Sequence, residues 1–174
     1  ILTASFLLDE LPRPDFVVWS NQVCDNTAKS GDALMDIYGI PGFYLDRPYR
    51  YSKQDMTYMV KELENFIRFL EEQTGKKMDY DKLKETVRLS QKVIDLYREI
   101  YTLRKNRPAP MRNRVLMNQM LMEMFFAGSS AGVEYFETAR NDIAEKVKNR
   151  QGVVEEENYR LLFLFLPPFY EMKL

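Results

Sequence analysis

Two short apolar runs, FVVW and GFYL, flank a stretch with helical spacing, and this arrangement restricts the possible folds more than any other feature of the chain. Residues 15–19 (DFVVW) follow LPRP, where Pro12 and Pro14 hold the backbone extended, and they read as a short buried strand. A tight turn, SNQVC, comes next. Asp25 or Asn26 is placed to cap a helix whose apolar positions Ala33, Leu34, Ile37 and Tyr38 share one face, and Gly39 with Pro41 beyond it ends that helix. Residues 42–46 (GFYLD) read as a second strand, with DRPYR leading away from its end. Two strands joined through a helix form a βαβ unit, which should cross over to the right and give a parallel sheet.

From Ser52 onward the pattern is helical. Met56, Met59, Val60, Leu63, Phe66, Ile67 and Leu70 keep the three-four spacing of an amphipathic helix that stops at Thr74-Gly75. Asp79 caps the next helix, with Met78 and Leu83 spaced as a hydrophobic staple and Leu83, Val87, Ile94, Tyr97 and Tyr101 as its stripe. NRPAP at 106–110 ends it. A methionine-rich helix runs over about 112–126, GSSAG interrupts, and Val133, Phe136, Ile143 and Val147 mark a last helix to about Asn149. Residues 159–166 read as a third strand, ended by Pro167-Pro168. The expected fold is α/β but helix-dominated: a partial parallel sheet of Rossmann or flavodoxin-like kind with four or five amphipathic helices.

Composition narrows the chemistry. With 45% hydrophobic and 29% charged residues over 174 positions, the chain is globular and large enough for a core. Lys plus Arg, 25, nearly balances Asp plus Glu, 26, so no overall field recruits nucleic acid or anionic lipid. No apolar stretch approaches the roughly 20 residues that span a bilayer. A soluble protein is expected. Its one cysteine cannot form an internal disulfide, which favours a reducing, cytoplasmic setting. The absence of histidine removes Ser-His-Asp and Cys-His nucleophile pairs and the common zinc sites from this chain.

Ligands of open α/β sheets bind beyond the carboxyl ends of the strands, and Asn21, Cys24, Asp46 and Arg47 all fall there. A thiol at a helix N-terminus is biased toward thiolate, which suits a nucleophile or metal ligand; the alternative is a half-buried thiol that only packs. Asn21 either orients a metal ligand, hydrogen-bonds substrate, or bonds the backbone of its own turn. Asp46 and Arg47 either contact substrate or simply end a strand. The methionines at 117, 120, 122 and 124 suit core packing, or an adaptable surface for a partner or an acyl chain. The basic run RKNRPAPMRNR (104–114) is a solvated helix end or a phosphate contact. GSSAG does not match a phosphate-binding loop.

The stretch LPRPDFVVWSNQVCDNTAKSGDALMDIYGIPGFYLDRPY resembles the middle of a subunit of the 2-hydroxyacyl-CoA dehydratases, a family shared with the benzoyl-CoA reductases. The similarity rests on a proline-aspartate-apolar strand, an asparagine shortly before a cysteine, and an "IP, strand, Asp, x, Pro, Tyr" segment. It continues through EEQTGKKMDYDKLKE, RKNRPAPM and YRLLFLFLPPFY. The resemblance implies that residues 1–51 are the later part of a first α/β domain carrying Cys24, 52–151 a helical segment, and 152–174 the start of a second α/β domain.

In that family each subunit holds a 4Fe-4S cluster through three cysteines, and Cys24 matches the middle one. The other two are absent here, and a lone thiolate cannot hold a cuboidal cluster. The resemblance therefore implies the central piece of a longer subunit. It also implies a homologous second subunit, an ATP-dependent iron-sulfur activator protein and an acyl-CoA substrate. Dehydration would then proceed through a ketyl radical after one-electron reduction, whereas in the reductase branch electrons enter an aromatic ring. Against these stands a non-catalytic helical interaction module, or a piece inert by itself.

Overall fold

The computed structural model describes residues 2–8, 10–22 and 25–161. In chain order these form α1 (Leu2–Leu7), β1 (Val17–Ser20), α2 (Asp25–Tyr38), β2 (Gly42–Leu45), α3 (Lys53–Thr74), α4 (Tyr80–Leu103), α5 (Asn113–Phe126) and α6 (Ser130–Lys148). They fall into two compact units, Ile1–Met78 and Asp79–Leu174.

In the first unit β1 and β2 pair in parallel, with Val17 opposite Gly42 and Ser20 opposite Leu45, as a βαβ unit requires. This pair is the whole sheet among the described residues. Side chains alternate along each strand, so Trp19 and Gly42 turn toward α2 while Phe43 turns toward α3. The approach of α2 is close because glycine permits it. A Cβ on Gly31 would overlap the Trp19 ring, and one on Gly42 would overlap both Met35 and Trp19. On the other face Phe43 packs against Phe66 and Phe69 of α3 at 5.3 and 5.4 Å between ring centroids, and Phe16 meets Phe69 edge-on at 5.7 Å.

Both ends of α3 are fixed by local chemistry. Ser52 and Asp55 form a reciprocal capping box, and Gly75 closes the helix in the left-handed region at φ 67°, its N–H donating to the Glu71 carbonyl. The expected stripe of α3 is only half used: Phe66 and Ile67 are half-buried, whereas Met56 and Val60 are exposed.

The second unit is built on α4 and α6. Val93, Leu96 and Ile100 of α4 pack with Val133, Phe136 and Ile143 of α6 and with Met111. Tyr97 and Tyr135 close on the Phe136 ring edge-on at 5.6 and 5.1 Å. Asp79 caps α4 as its sequence requires, accepting from the N–H groups of Asp81 and Lys82. Ser129 caps α6, its Oγ accepting from the Gly132 N–H at 3.0 Å.

Three expectations need correction, and one element was not expected. The buried stripe of α4 is Val93, Leu96 and Ile100; of the expected series Leu83, Val87, Ile94, Tyr97 and Tyr101, only Ile94 and Tyr97 are half-buried, while Leu83, Val87 and Tyr101 are exposed. α4 carries apolar residues on two faces, and contact with α6 selects between them. Asp25 and Asn26, read as caps, are already the first residues of α2. The helix α1 has no counterpart in the pattern reading. Residues 159–161 are not strand, and Tyr159 and Leu161 are almost fully exposed; the remainder of the expected third strand, 162–166, lies outside the described residues.

The close approach of α2 to the strands is directly testable. Gly→Ala inside a helix ordinarily stabilises by about 1 kcal/mol, whereas overpacking a filled contact costs about 1–3 kcal/mol. Gly31→Ala should therefore be destabilising in chemical denaturation, with the fluorescence of Trp19, the sole tryptophan, perturbed in the folded state.

Candidate functional site at the carboxyl edge of the parallel pair

The register of the two strands determines what meets beyond them. Since Ser20 lies opposite Leu45, both strands end at the same level, and the residues that follow, Asn21 and Asp46, emerge side by side. The Asn21 carboxamide then bonds across the gap at both ends. Its Nδ2 donates to Asp46 Oδ1 at 2.7 Å and to the Arg47 carbonyl at 3.0 Å, while its Oδ1 accepts from the Arg47 N–H at 2.9 Å. A primary amide has the donor-acceptor pattern of a peptide group, so this side chain continues the ladder for one more step. These hydrogen bonds of Asn21 run to the other strand end rather than back to its own turn.

Asp46 is shared. Its second oxygen, Oδ2, accepts from the hydroxyl of Tyr58 on α3 at 2.8 Å. That hydrogen bond to the carboxylate, with smaller contributions from desolvation and from the negative charge of Asp46, pushes the Tyr58 phenol up to about 12. Thr27, in the first turns of α2, donates from Oγ1 to the Ser20 carbonyl at 2.8 Å, tying α2 to the end of β1. Side chains from the ends of β1 and β2 and from the start of α3 thus form one hydrogen-bonded cluster.

Asn21 and Asp46 were legible as candidates because each directly follows a strand. Tyr58 was not, since its twelve-residue separation from Asp46 crosses an irregular loop. The available signal was the Ser52–Asp55 capping box, which fixes the start of α3 and so places Tyr58 within its first two turns. Tyr49, in the Asp-x-Pro-Tyr segment, is instead exposed. Cys24 lies outside the described residues. Among the described residues no group of three or more His, Cys, Asp or Glu side chains is arranged to hold a metal ion. Two side chains of the basic run are engaged within the fold: Arg104 lies 5.4 Å over the Tyr101 ring and donates to Asn113, and Arg107 pairs with Glu157 at 3.8 Å. Met117, Met120 and Met122 are half-buried, and Met124 is exposed.

The profile of the family described as 2-hydroxyglutaryl-CoA dehydratase, D-component, matches residues 2–174. The chain belongs to this family. Curated relatives agree with that membership. The chain is 28% identical over 158 residues to the (R)-phenyllactyl-CoA dehydratase alpha subunit of Clostridium sporogenes, covering 88% of this chain and 39% of that one. It is 26% identical over 162 residues to the alpha subunit of (R)-2-hydroxyglutaryl-CoA dehydratase from Acidaminococcus fermentans, covering 90% and 34%. A subunit of the benzoyl-CoA reductase of Thauera aromatica is 29% identical over 165 residues, covering 87% and 38%. The chain therefore spans well under half the length of these relatives. The described residues of this family member form a two-stranded parallel sheet and six helices. No described helix is long and apolar enough to cross a membrane.

The Tyr58–Asp46 bond makes a prediction with a defined sign. A phenol whose folded-state pKa lies above its unfolded value of about 10 stabilises the fold fully below pH 10. That contribution is lost as the pH rises through about 12. The absorbance titration of wild type minus Tyr58→Phe should show a component with its midpoint near 12 rather than near 10.

Proposed function

We propose that this chain is part of a subunit of a 2-hydroxyacyl-CoA dehydratase, an enzyme that removes water from a 2-hydroxyacyl-CoA thioester. The observation that carries this reading is the match of the dehydratase family profile over residues 2–174. Relatives named as dehydratase alpha subunits support it. Their designation as alpha subunits also favours assembly with a homologous second subunit. A benzoyl-CoA reductase-type subunit is the second reading, supported by the similarity to the Thauera aromatica reductase chain. An inert piece or interaction module has no comparable support.

We further propose Cys24 as one ligand of a 4Fe-4S cluster in the complete subunit. The donor set of this chain does not fit a whole cluster, because it holds one thiolate and such clusters need several. It fits the supply of a single ligand. When bound, the group would supply the one-electron chemistry that a 2-hydroxyacyl thioester needs, since its hydroxyl is a poor leaving group until the carbonyl is reduced. The reading includes an ATP-dependent iron-sulfur activator as electron donor and a cytoplasmic setting.

The residues of this chain have a positioning role in that scheme. The Asn21 clamp and the Tyr58–Asp46 bond hold the two strand ends and the start of α3 in one arrangement, and Cys24 follows Asn21 closely in sequence. A rigid support of this kind limits the movement of groups mounted on it. The first α/β domain would then include residues 1–51, the helical segment 52–151 and the second α/β domain the residues from 152 onward.

The test uses the complete subunit, purified without oxygen with its partner and activator. Cys24→Ser should lower cluster iron and 2-hydroxyacyl-CoA dehydration together, without loss of the folded state by circular dichroism. Full iron stoichiometry in the variant contradicts the ligand assignment, and turnover of an aromatic thioester alone favours the reductase reading.

A further inference from the structure

The second unit contains a half-open cleft, about 320 Å³ in volume, that the dehydratase reading leaves unused. Its walls include Met111, Val115, Gln119, Tyr135 and Ile143, and Arg112 stands among the residues around it. This volume lies at the small end of the range typical of ligand pockets.

Gln119 is the unusual member. It is 1% exposed and is the only buried polar side chain among the described residues. It is also the only fully buried residue of α5, a helix whose Leu121, Met124 and Phe125 face solvent. Polarity at this one position is therefore inverted relative to the usual rule, although Leu116 and Met122 of the same helix pack on the core. The Gln119 Oε1 accepts no hydrogen bond. Buried amide oxygens are nearly always paired, and one left alone is a cost to the fold.

Neighbouring groups around the cleft are occupied elsewhere. Lys146 turns to Asp142 at 2.6 Å, the Ala109 N–H donates to Glu157 at 2.7 Å, and the Val153 N–H donates to the Ala109 carbonyl at 2.9 Å. These contacts fasten the segment after α6 to the loop before α5, so the cleft has fixed walls. Packing alone would favour leucine or methionine at position 119, as at most of its neighbours in α5.

We propose that this cleft binds the aliphatic, amide-bearing arm of a thioester ligand, with the Gln119 carbonyl accepting an amide N–H. The missing partner must be a donor, and because the one carboxylate of the lining, Asp142, is already paired with Lys146 and Arg112 adds a further positive charge, a neutral donor on an aliphatic chain is favoured over an ammonium group. The last torsion of glutamine is broad, so its amide can reorient within this lining. Arg112, which makes no ion pair among the described residues, is placed for a carbonyl or phosphate oxygen of the same ligand. The choice of a thioester arm rests on the acyl-CoA reading above, whereas the need for an N–H donor does not.

Pantetheine, which is uncharged and carries two secondary amides, is the probe, tested against the full-length protein by calorimetry and thermal denaturation. Wild type should bind it, and Gln119→Met should weaken binding at least tenfold while leaving the unliganded melting temperature unchanged or higher. That opposition of signs separates a ligand anchor from a structural glutamine, whose loss lowers the melting temperature. Val115→Phe, which fills the cleft from an exposed rim position, should also abolish binding, an independent check on where the ligand sits.

Failure of wild type to bind pantetheine, unchanged affinity in Gln119→Met, or a destabilised unliganded Gln119→Met would each overturn the inference. So would preferential binding of a short apolar peptide. The dehydratase reading is decided separately by turnover: Gln119-dependent pantetheine binding in a complete enzyme inactive on 2-hydroxyacyl-CoA upholds the cleft and removes that reading.

Discussion

One side-chain amide joins the ends of the two strands of the first unit and, through Asp46, the start of α3. Two parallel strands of four residues offer few ladder hydrogen bonds, and a short parallel pair has no tight turn to hold its ends together. The Asn21 carboxamide adds a peptide-like step beyond the last pair, bonding both the N–H and the carbonyl of Arg47. Asparagine suits this geometry because it carries a donor and an acceptor on one planar group. Aspartate would place an acceptor against the Arg47 carbonyl and the Asp46 carboxylate, and leucine would leave the Arg47 amide unpaired.

The remainder of that unit serves the same edge. Glycine at 31 and 42 lets α2 lie against the strands, so that Thr27 reaches the Ser20 carbonyl. Phe43, Phe66 and Phe69 anchor α3 on the opposite face, which brings Tyr58 to Asp46. Packing thus sets the distances, and hydrogen bonds fix the orientations. In the second unit the relation between burial and polarity is different: hydrocarbon between α4 and α6 provides cohesion, while the buried polar residue belongs to α5, the helix with the most apolar exterior.

Helix boundaries with chemical punctuation were legible in the sequence. Ser52 with Asp55, Gly75 and Asp79 each satisfy backbone groups that a helix end leaves unpaired, so these limits follow from local chemistry. The parallel strand pair was legible for a similar reason, because two apolar runs separated by one capped helix admit few arrangements. What local pattern could not decide was which face of α4 is buried, since that depends on α6, more than thirty residues later. It also could not distinguish 159–161 from a strand, because a strand exists only where a neighbour pairs with it. For the site, Asn21 and Asp46 were visible from their position after strands. Their mutual bonding and the role of Tyr58 depend on strand register and on the α3 packing, neither of which any single segment encodes. Gln119 was hidden within a run of methionines that reads as core.

The central claim is that the Asn21 carboxamide couples the ends of β1 and β2. Amide hydrogen exchange at Arg47, followed residue by residue in wild type and in Asn21→Ala, tests it most directly. The Arg47 amide should be protected in wild type and should exchange at least tenfold faster in the variant, while amides inside α3 keep their protection. Equal protection of Arg47 in both proteins would contradict the account.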